Sequence, residues 1–247
     1  MESSGHSTVH SHNGYCTLVI MAKAPRPGRV KTRLAQSLPV EAVTELYRCL
    51  LDDTMVLARS LSTSLGSMDV AIMCPASDLE ELTRLARGQV SVVAQKGEGL
   101  AAGLTSVFAH FAGPGRQRVV AFNSDSPHLP APVLGSAFEA LTAHDVVVGP
   151  THDGGYYLVG AKAAHPALFD GDGLGTECAL EALLARARGL QLSVGFTDPF
   201  YDIDVEDDLT RLAAELRLAP ARAPLTAAWL KQWGQTTAQL PTATGDL

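Results

Sequence analysis

Apolar, β-branched runs recur along the chain at residues 17–22, 70–73, 90–94, 119–122 and 146–148, and segments of helical period such as 41–60 and 79–87 separate them. Strands that are apolar at successive rather than alternate positions must be covered on both faces. That is the condition of a mostly parallel central sheet with helices on both sides, and it predicts an α/β fold. Further helices are expected at 99–111, 132–142, 177–188 and 207–218, the last opened by an acid-rich first turn that suits the helix dipole. A strand pair at 156–160 and 192–196 extends the sheet and adds a small antiparallel part. With 247 residues, 46% of them apolar, a single large domain has ample material for its core.

That domain is expected over 15–218. Residues 1–14 are rich in Ser, His and Gly and read as a disordered tail. Residues 219–247 hold Pro220, Pro224, a short helix around Trp229 and Trp233, and a Thr-rich end, and read as a helical appendage and tail. No run is long and apolar enough for a membrane span, and the opening residues lack the apolar core of a signal peptide, so the expected location is cytoplasmic. Cys16, Cys49, Cys74 and Cys178 are widely spaced and read as buried, reduced packing thiols. The net charge of −7 argues against general nucleic-acid binding. Oligomeric state is open, with a homo-oligomer among the possibilities.

The first apolar run leads directly into a loop bearing Lys23, Arg26, Arg29, Lys31 and Arg33. Five of the chain's 19 basic residues thus fall within eleven positions, where an even spread puts fewer than one, and no acid stands between Glu2 and Glu41. Such a loop attracts an anion. Pro25, Pro27 and Gly28 between a strand end and a helix present backbone N–H groups and fixed cations to one point, which suits a polyphosphate. Val30 occupies the place of the P-loop glycine before Lys31-Thr32, so the loop is not a Walker motif. The bland alternative is a structural strand-to-helix connection.

Ligands of open parallel sheets sit beyond the carboxyl ends of the strands. Asp125, in Asn123-Ser124-Asp125-Ser126-Pro127, follows the fourth apolar run and is placed either to hold Mg²⁺ against phosphates or to cap the helix near Pro132. Asp202 and Asp204 alternate about Ile203, which aims both carboxylates to one side. Two like charges there make sense around a cation, whereas Asp207 and Asp208 read as helix-start residues. Asp153-Gly154-Gly155-Tyr156 either lets backbone approach a ligand or forms a tight hairpin turn with the tyrosines in the core. Gly97-Glu98-Gly99 follows the third run and reads as a contact for a nucleotide base or ribose, since no acid follows at the spacing a dinucleotide fingerprint requires. The chain has no G-x-S-x-G elbow, H-E-x-x-H motif or Cys/His cluster, which weakens hydrolase and zinc readings. His128, His144, His152 and His165 are isolated and read as surface or packing residues, with His152 beside Asp153 the one worth testing.

The cationic loop, Ser124-Asp125-x-Pro127, Asp153-Gly-Gly-Tyr-Tyr157 and Asp202-x-Asp204, in this order, resemble the nucleotide-diphospho-sugar transferase superfamily of glycosyltransferase-A type over roughly residues 17–216. More narrowly the chain resembles bacterial transferases labelled radical-SAM/selenodomain-associated. More distantly it is similar to guanylyltransferases that activate 2-phospholactate or phosphoenolpyruvate. The resemblance implies a Rossmann-like glycosyltransferase-A fold, with Lys23, Lys31 and Arg33 on phosphates, Asp125 as one metal ligand, and Asp204, with or without Asp202, as another. It departs at Leu174-Gly175-Thr176, where relatives usually have Trp-Ser-Thr, and at Asp204-Val-Glu-Asp-Asp-Leu209, where they have Asp-Thr-Pro-Glu-Asp-Leu.

The expected activity is nucleotidyl transfer from a nucleoside triphosphate to a small phosphorylated or hydroxylated metabolite. Mg²⁺ is the expected cofactor and Mn²⁺ the alternative. Lys31, Arg33 and Asp125 are the candidate catalytic residues. Lys23, Gly28, Arg29, Gly97, Glu98 and Gly99 complete the nucleotide side, and Asp153, Gly154, Gly155, Tyr156 and Thr176 the acceptor side. Five cations suit a triphosphate better than a sugar donor's diphosphate. The alternatives are metal-dependent glycosyl transfer from a nucleotide-sugar and a non-catalytic nucleotide-binding regulator.

Overall fold

The computed structural model describes residues 15–65, 68–113, 116–171 and 178–239. The proposed N-terminal tail, Thr176 and residues 240–247 lie outside the described residues. Seven strands form one sheet: β1 Tyr15–Met21, β2 Met68–Cys74, β3 Ser91–Ala94, β4 Arg116–Asn123, β5 Val146–Pro150, β6 Tyr156–Ala161 and β7 Val194–Phe196, in the spatial order β3-β2-β1-β4-β6-β5-β7. Pairing is parallel throughout except at β6, which runs antiparallel to both neighbours. The expected antiparallel strand therefore lies inside the sheet, between β4 and β5. A tight turn from β5 returns the chain on the side facing β4, and that gap is filled before β7 adds to the outer edge.

Strand composition follows from double coverage. Leu18 and Ile20 of β1 face one side, where they join α1 (Val40–Leu65), α2 (Leu79–Ala86) and α4 (Ala131–Ala143) in one core. Val19 faces the other, toward α3 (Gly99–Phe111) and α5 (Ala179–Gly189). All three residues are fully buried, so no position is left for the polar half of an alternating pattern. Burial of the cysteines is uneven. Cys16 and Cys74 are inside, Cys49 is half-buried, and Cys178, expected inside, is exposed just before α5.

A third apolar cluster joins Leu46 and Leu50 of α1 to Leu209, Leu212 and Leu216 of α6 (Glu206–Leu218) and to Trp229 and Leu230 of α7 (Pro224–Gln239). The amino end of α7 is held by Asp53 of α1, whose two carboxylate oxygens accept the backbone N–H groups of Leu225 (3.2 Å) and Thr226 (2.8 Å). Helix starts leave such donors without partners, and a carboxylate satisfies them and favours the helix dipole. At the carboxyl ends of the strands, the His128 ring packs on Phe200 (4.9 Å) and Tyr201 (4.6 Å), and Phe200 stacks on Tyr201. This aromatic layer joins the segment after β4, which carries Asp125, to the segment before α6, which carries Asp202 and Asp204.

Two outcomes follow. Asp53→Ala removes a buried cap and leaves two donors unsatisfied, and is expected to cost about 2 kcal/mol, lowering the thermal midpoint by several degrees. His128 is fully buried, and burial, followed by Arg222 and Arg211, pulls its pKa down from 6.5 to about 3. The folded chain thus keeps this ring neutral while the unfolded chain protonates it. Stability from this group is complete above pH 6.5 and falls as pH drops toward 3, by up to about 1.4 kcal/mol per pH unit. Urea midpoints measured across that window are expected to fall for the wild type, and His128→Phe to remove that part of the slope.

Candidate active site

Three distant segments meet at one ammonium. Lys31 Nζ lies in ion-pair contact with Asp125 Oδ2 and donates a hydrogen bond to Asp204 Oδ1 at 2.9 Å. The Lys31 side chain is only 5% exposed, and that of Asp204, its more open partner, 36%. Arg33 Nη1 reaches Asp204 Oδ2 at 3.6 Å from a largely exposed side chain. Asp125 comes from just beyond β4 and Asp204 from just before α6. Lys31 comes from the loop after β1, whose path turns through left-handed backbone at Gly28 (φ 69°) and again at Lys31 itself (φ 47°). Glycine takes that conformation freely, whereas a side-chain residue there is strained and persists where its surroundings hold it.

Burial alone pulls the Lys31 pKa down, but Asp125 and Asp204 outweigh it and the net shift is upward. The lysine stays charged. Asp202 shows the opposite effect: burial, then Asp125 and Asp204, push its pKa up to about 7 against the pull of Lys31. Ile203 is fully buried between the two acids, so the alternation expected from sequence directs Asp202 and Asp204 away from the core. Asp208 accepts the backbone N–H groups of Asp204 and Val205, both at 2.9 Å, and so anchors the start of α6.

The donor set suits a hard divalent cation. Asp125 Oδ1 is buried without a hydrogen-bond partner, and Asp125 and Asp204 both reach the single position of the Lys31 ammonium. Among the described residues no three His, Cys, Asp or Glu side chains converge as a metal-holding group. The arrangement is a two-carboxylate seat shared with a lysine.

Tyr47 of α1 fixes the frame. Its hydroxyl accepts the Lys23 backbone N–H (3.1 Å) and shares a hydrogen bond with Ser124 Oγ (2.8 Å), tying the start of the cationic loop to the end of β4. Thr54 Oγ1 donates to the Ser124 carbonyl (3.1 Å), and Ser126 Oγ donates to the Tyr201 carbonyl (3.3 Å). Sequence reasoning missed Tyr47 because it lies on the buried stripe of a long helix. Its polar tip on an otherwise apolar face was the available signal.

A cavity of about 570 Å³ opens over this frame, lined by Lys23, Arg29, Lys31, Arg33, Asp125 and Asp204. A second groove, of about 400 Å³, shares Lys23 and Arg29 and continues along Gly28, Gln95, Glu98 and Gly99. Gln95 Nε2 shapes its far wall by donating to the carbonyls of Gly97 (2.9 Å) and Gly99 (3.2 Å). Three of the five loop cations, Arg26, Lys31 and Arg33, do not stand unbalanced, although no acid is near them in sequence. Arg26 pairs with Glu81 (2.8 Å) and Asp78 (3.0 Å), and Lys31 pairs with the two aspartates.

Asp153, Gly154 and Gly155 form the turn between β5 and β6. Asp153 Oδ1 accepts from Thr151 Oγ1 (2.5 Å) and from the Gly155 N–H (3.3 Å). The Thr151 hydrogen bond leads the causes that lower the Asp153 pKa, and Arg33 adds to them. Tyr156 packs beside the core under α3 and α5, and Tyr157 is buried, donating to the Asp198 carbonyl (2.9 Å). None of residues 153–156 lines the two cavities described above.

A family model described as "Uncharacterized protein conserved in bacteria (DUF2064)" matches residues 59–176. No curated protein matches the chain. Among solved structures, a protein from Desulfovibrio desulfuricans G20, provisionally called a nucleotide-diphospho-sugar transferase, is similar with a TM-score of 0.80 and 27% identity, over 91% of this chain and 97% of that one. The inositol-1-phosphate CTP transferase of T. maritima is similar in fold with a TM-score of 0.58 and 13% identity, over 82% and 95% of the two chains. The 4-diphosphocytidyl-2C-methyl-D-erythritol synthase of Anaerococcus prevotii DSM 20548 aligns with a TM-score of 0.56 and 10% identity, over 82% and 96%. In fold the chain is thus similar to solved nucleotide-diphospho-sugar and CTP transferases, and over residues 59–176 it matches the model of the DUF2064 family.

Proposed function

We propose that the protein is a divalent-cation-dependent nucleotidyltransferase. An oxygen of a small phosphorylated or hydroxylated metabolite attacks the α-phosphorus of a nucleoside triphosphate, the bond to the bridging oxygen breaks, and pyrophosphate leaves. The observation that carries this reading is the cavity in which Lys23, Arg29, Lys31 and Arg33 face Asp125 and Asp204. Fixed cations beside a two-carboxylate seat are what phosphoryl-type transfer requires, since positioning and charge neutralisation do most of the work.

In this reading Lys23, Arg29 and Arg33 bind the phosphates, with the Gly28 backbone close to them, and Lys31 and Arg33 offset charge on the departing pyrophosphate. Asp125 and Asp204 would hold Mg²⁺, or Mn²⁺, with Asp202 beside them; when bound, the ion supplies further charge neutralisation at the phosphate oxygens. The groove along Glu98 and Gly99, with Gly97 between them and Gln95 in sequence, takes the nucleoside, and Asp153, Gly154, Gly155, Tyr156 and Thr176 are assigned to the acceptor. The partners are a nucleotide and a small molecule, without nucleic acid or membrane, in the cytoplasm; a homo-oligomer is compatible with this. In support, no helix among the described residues is long and apolar enough to cross a membrane.

Glycosyl transfer from a nucleotide-sugar is the second reading. The engagement of Arg26 by Asp78 and Glu81 favours it, because it leaves fewer loop cations for a triphosphate. The name of the Desulfovibrio relative agrees with it.

The separating experiment incubates the protein and Mg²⁺ with each nucleoside triphosphate and a pool of small phosphorylated and hydroxylated metabolites, and in parallel with nucleotide-sugars. Pyrophosphate release dependent on an acceptor is expected. Nucleoside diphosphate release from a sugar donor overturns nucleotidyl transfer. Asp204→Asn and Arg33→Ala are each expected to lower kcat/KM by about 100-fold.

A further inference from the structure

The Lys31 ammonium occupies the point toward which Asp125 and Asp204 converge. Two half-buried carboxylates of like charge are costly without a cation between them, and Lys31 is that cation. A divalent ion drawn to the same two acids must therefore displace an ammonium that is already inside, 5% exposed and hydrogen-bonded. The displaced ammonium has a destination, because Lys31 also lines the cavity that it shares with Lys23, Arg29 and Arg33. Its backbone is in the left-handed region, at φ 47°, where a residue with a side chain is strained. Arg33 stays close to Asp204 at 3.6 Å from a mostly exposed position, so the acid keeps one cationic neighbour while Lys31 moves.

We propose that Lys31 is an internal counter-ion which holds the Asp125–Asp204 seat closed to free divalent cations and yields it when a polyphosphate draws the ammonium into the cavity. This rests on the reading of the cavity as a polyphosphate site. One cation replaces another, so the acids are never left facing each other alone. Free ions bind weakly, and the ion enters together with the polyphosphate. The loop lysine then has two successive partners, first the aspartates and then phosphate oxygens. Coupling between polyphosphate and metal is reciprocal, as linkage demands.

The test measures Mn²⁺ binding to the nucleotide-free wild type, Lys31→Met and Lys31→Arg by the electron paramagnetic resonance signal of free Mn²⁺. Lys31→Met is expected to bind Mn²⁺ about tenfold or more tightly than wild type, within the usual range of site coupling. Lys31→Arg is expected to resemble wild type, and adding Asp125→Asn to Lys31→Met to abolish the gain. A second arm needs the wild type only. Mg²⁺ alone should leave its thermal midpoint unchanged, while Mg²⁺ with inorganic tripolyphosphate should raise it beyond tripolyphosphate alone. Tight Mn²⁺ binding by the nucleotide-free wild type, or a Lys31→Met variant that binds no more tightly than wild type, overturns the inference. Neither result bears on pyrophosphate release by the wild type. If that release is missing while Lys31→Met gains Mn²⁺ affinity, the nucleotidyl reading fails and the counter-ion role stands.

Discussion

The interaction on which the site depends is the contact of one buried ammonium with two carboxylates from opposite regions of the chain, 173 residues separating Lys31 from Asp204. Each participant is unfavourable by itself: a lysine removed from water, and acids brought close to one another. Together they neutralise, and the chain must bring all three to the same end of the sheet for that to happen. β1, β4 and the segment before α6 are therefore bound into one geometry, and the Tyr47 hydroxyl and the His128–Phe200–Tyr201 layer hold that geometry from beneath.

The same economy explains why the pocket combines opposite charges without collapsing. Lys23, Arg29 and Arg33 face a space large enough for phosphates, while the acids sit deeper and are matched internally. From the solvent side the exposed cations come first and the acids lie behind them. Such a gradient sorts charge by depth, and it needs a rigid floor. The floor is the ends of β1 and β4, where Leu18, Val19, Ile20 and Val119–Phe122 are buried.

Much of this was legible beforehand, for identifiable reasons. Leu18, Val19 and Ile20 announce double coverage because nothing polar interrupts them, and the cationic loop that follows them does border a cavity with Asp125 and Asp204. Asp202 and Asp204 were readable from their alternation about Ile203. What sequence could not supply was pairing in space. Arg26 looked available because its acidic partners, Asp78 and Glu81, belong to a segment more than fifty residues later. Tyr47 looked like one more core residue of α1. The reversed strand was expected at the periphery of the sheet, because strand direction depends on which neighbour a hairpin meets, and periodicity carries no such information.

That reversed strand constrains how the chain acquires its shape. After β4 pairs with β1, its outer side has no partner until residues 156–161 arrive, and they come already attached to β5 through a short turn. The β5–β6 hairpin is the local unit, formed over short range, and it docks as a preformed pair onto an incomplete edge. Until the hairpin docks, the exposed side of Val119–Phe122 offers a template for mispairing between nascent molecules.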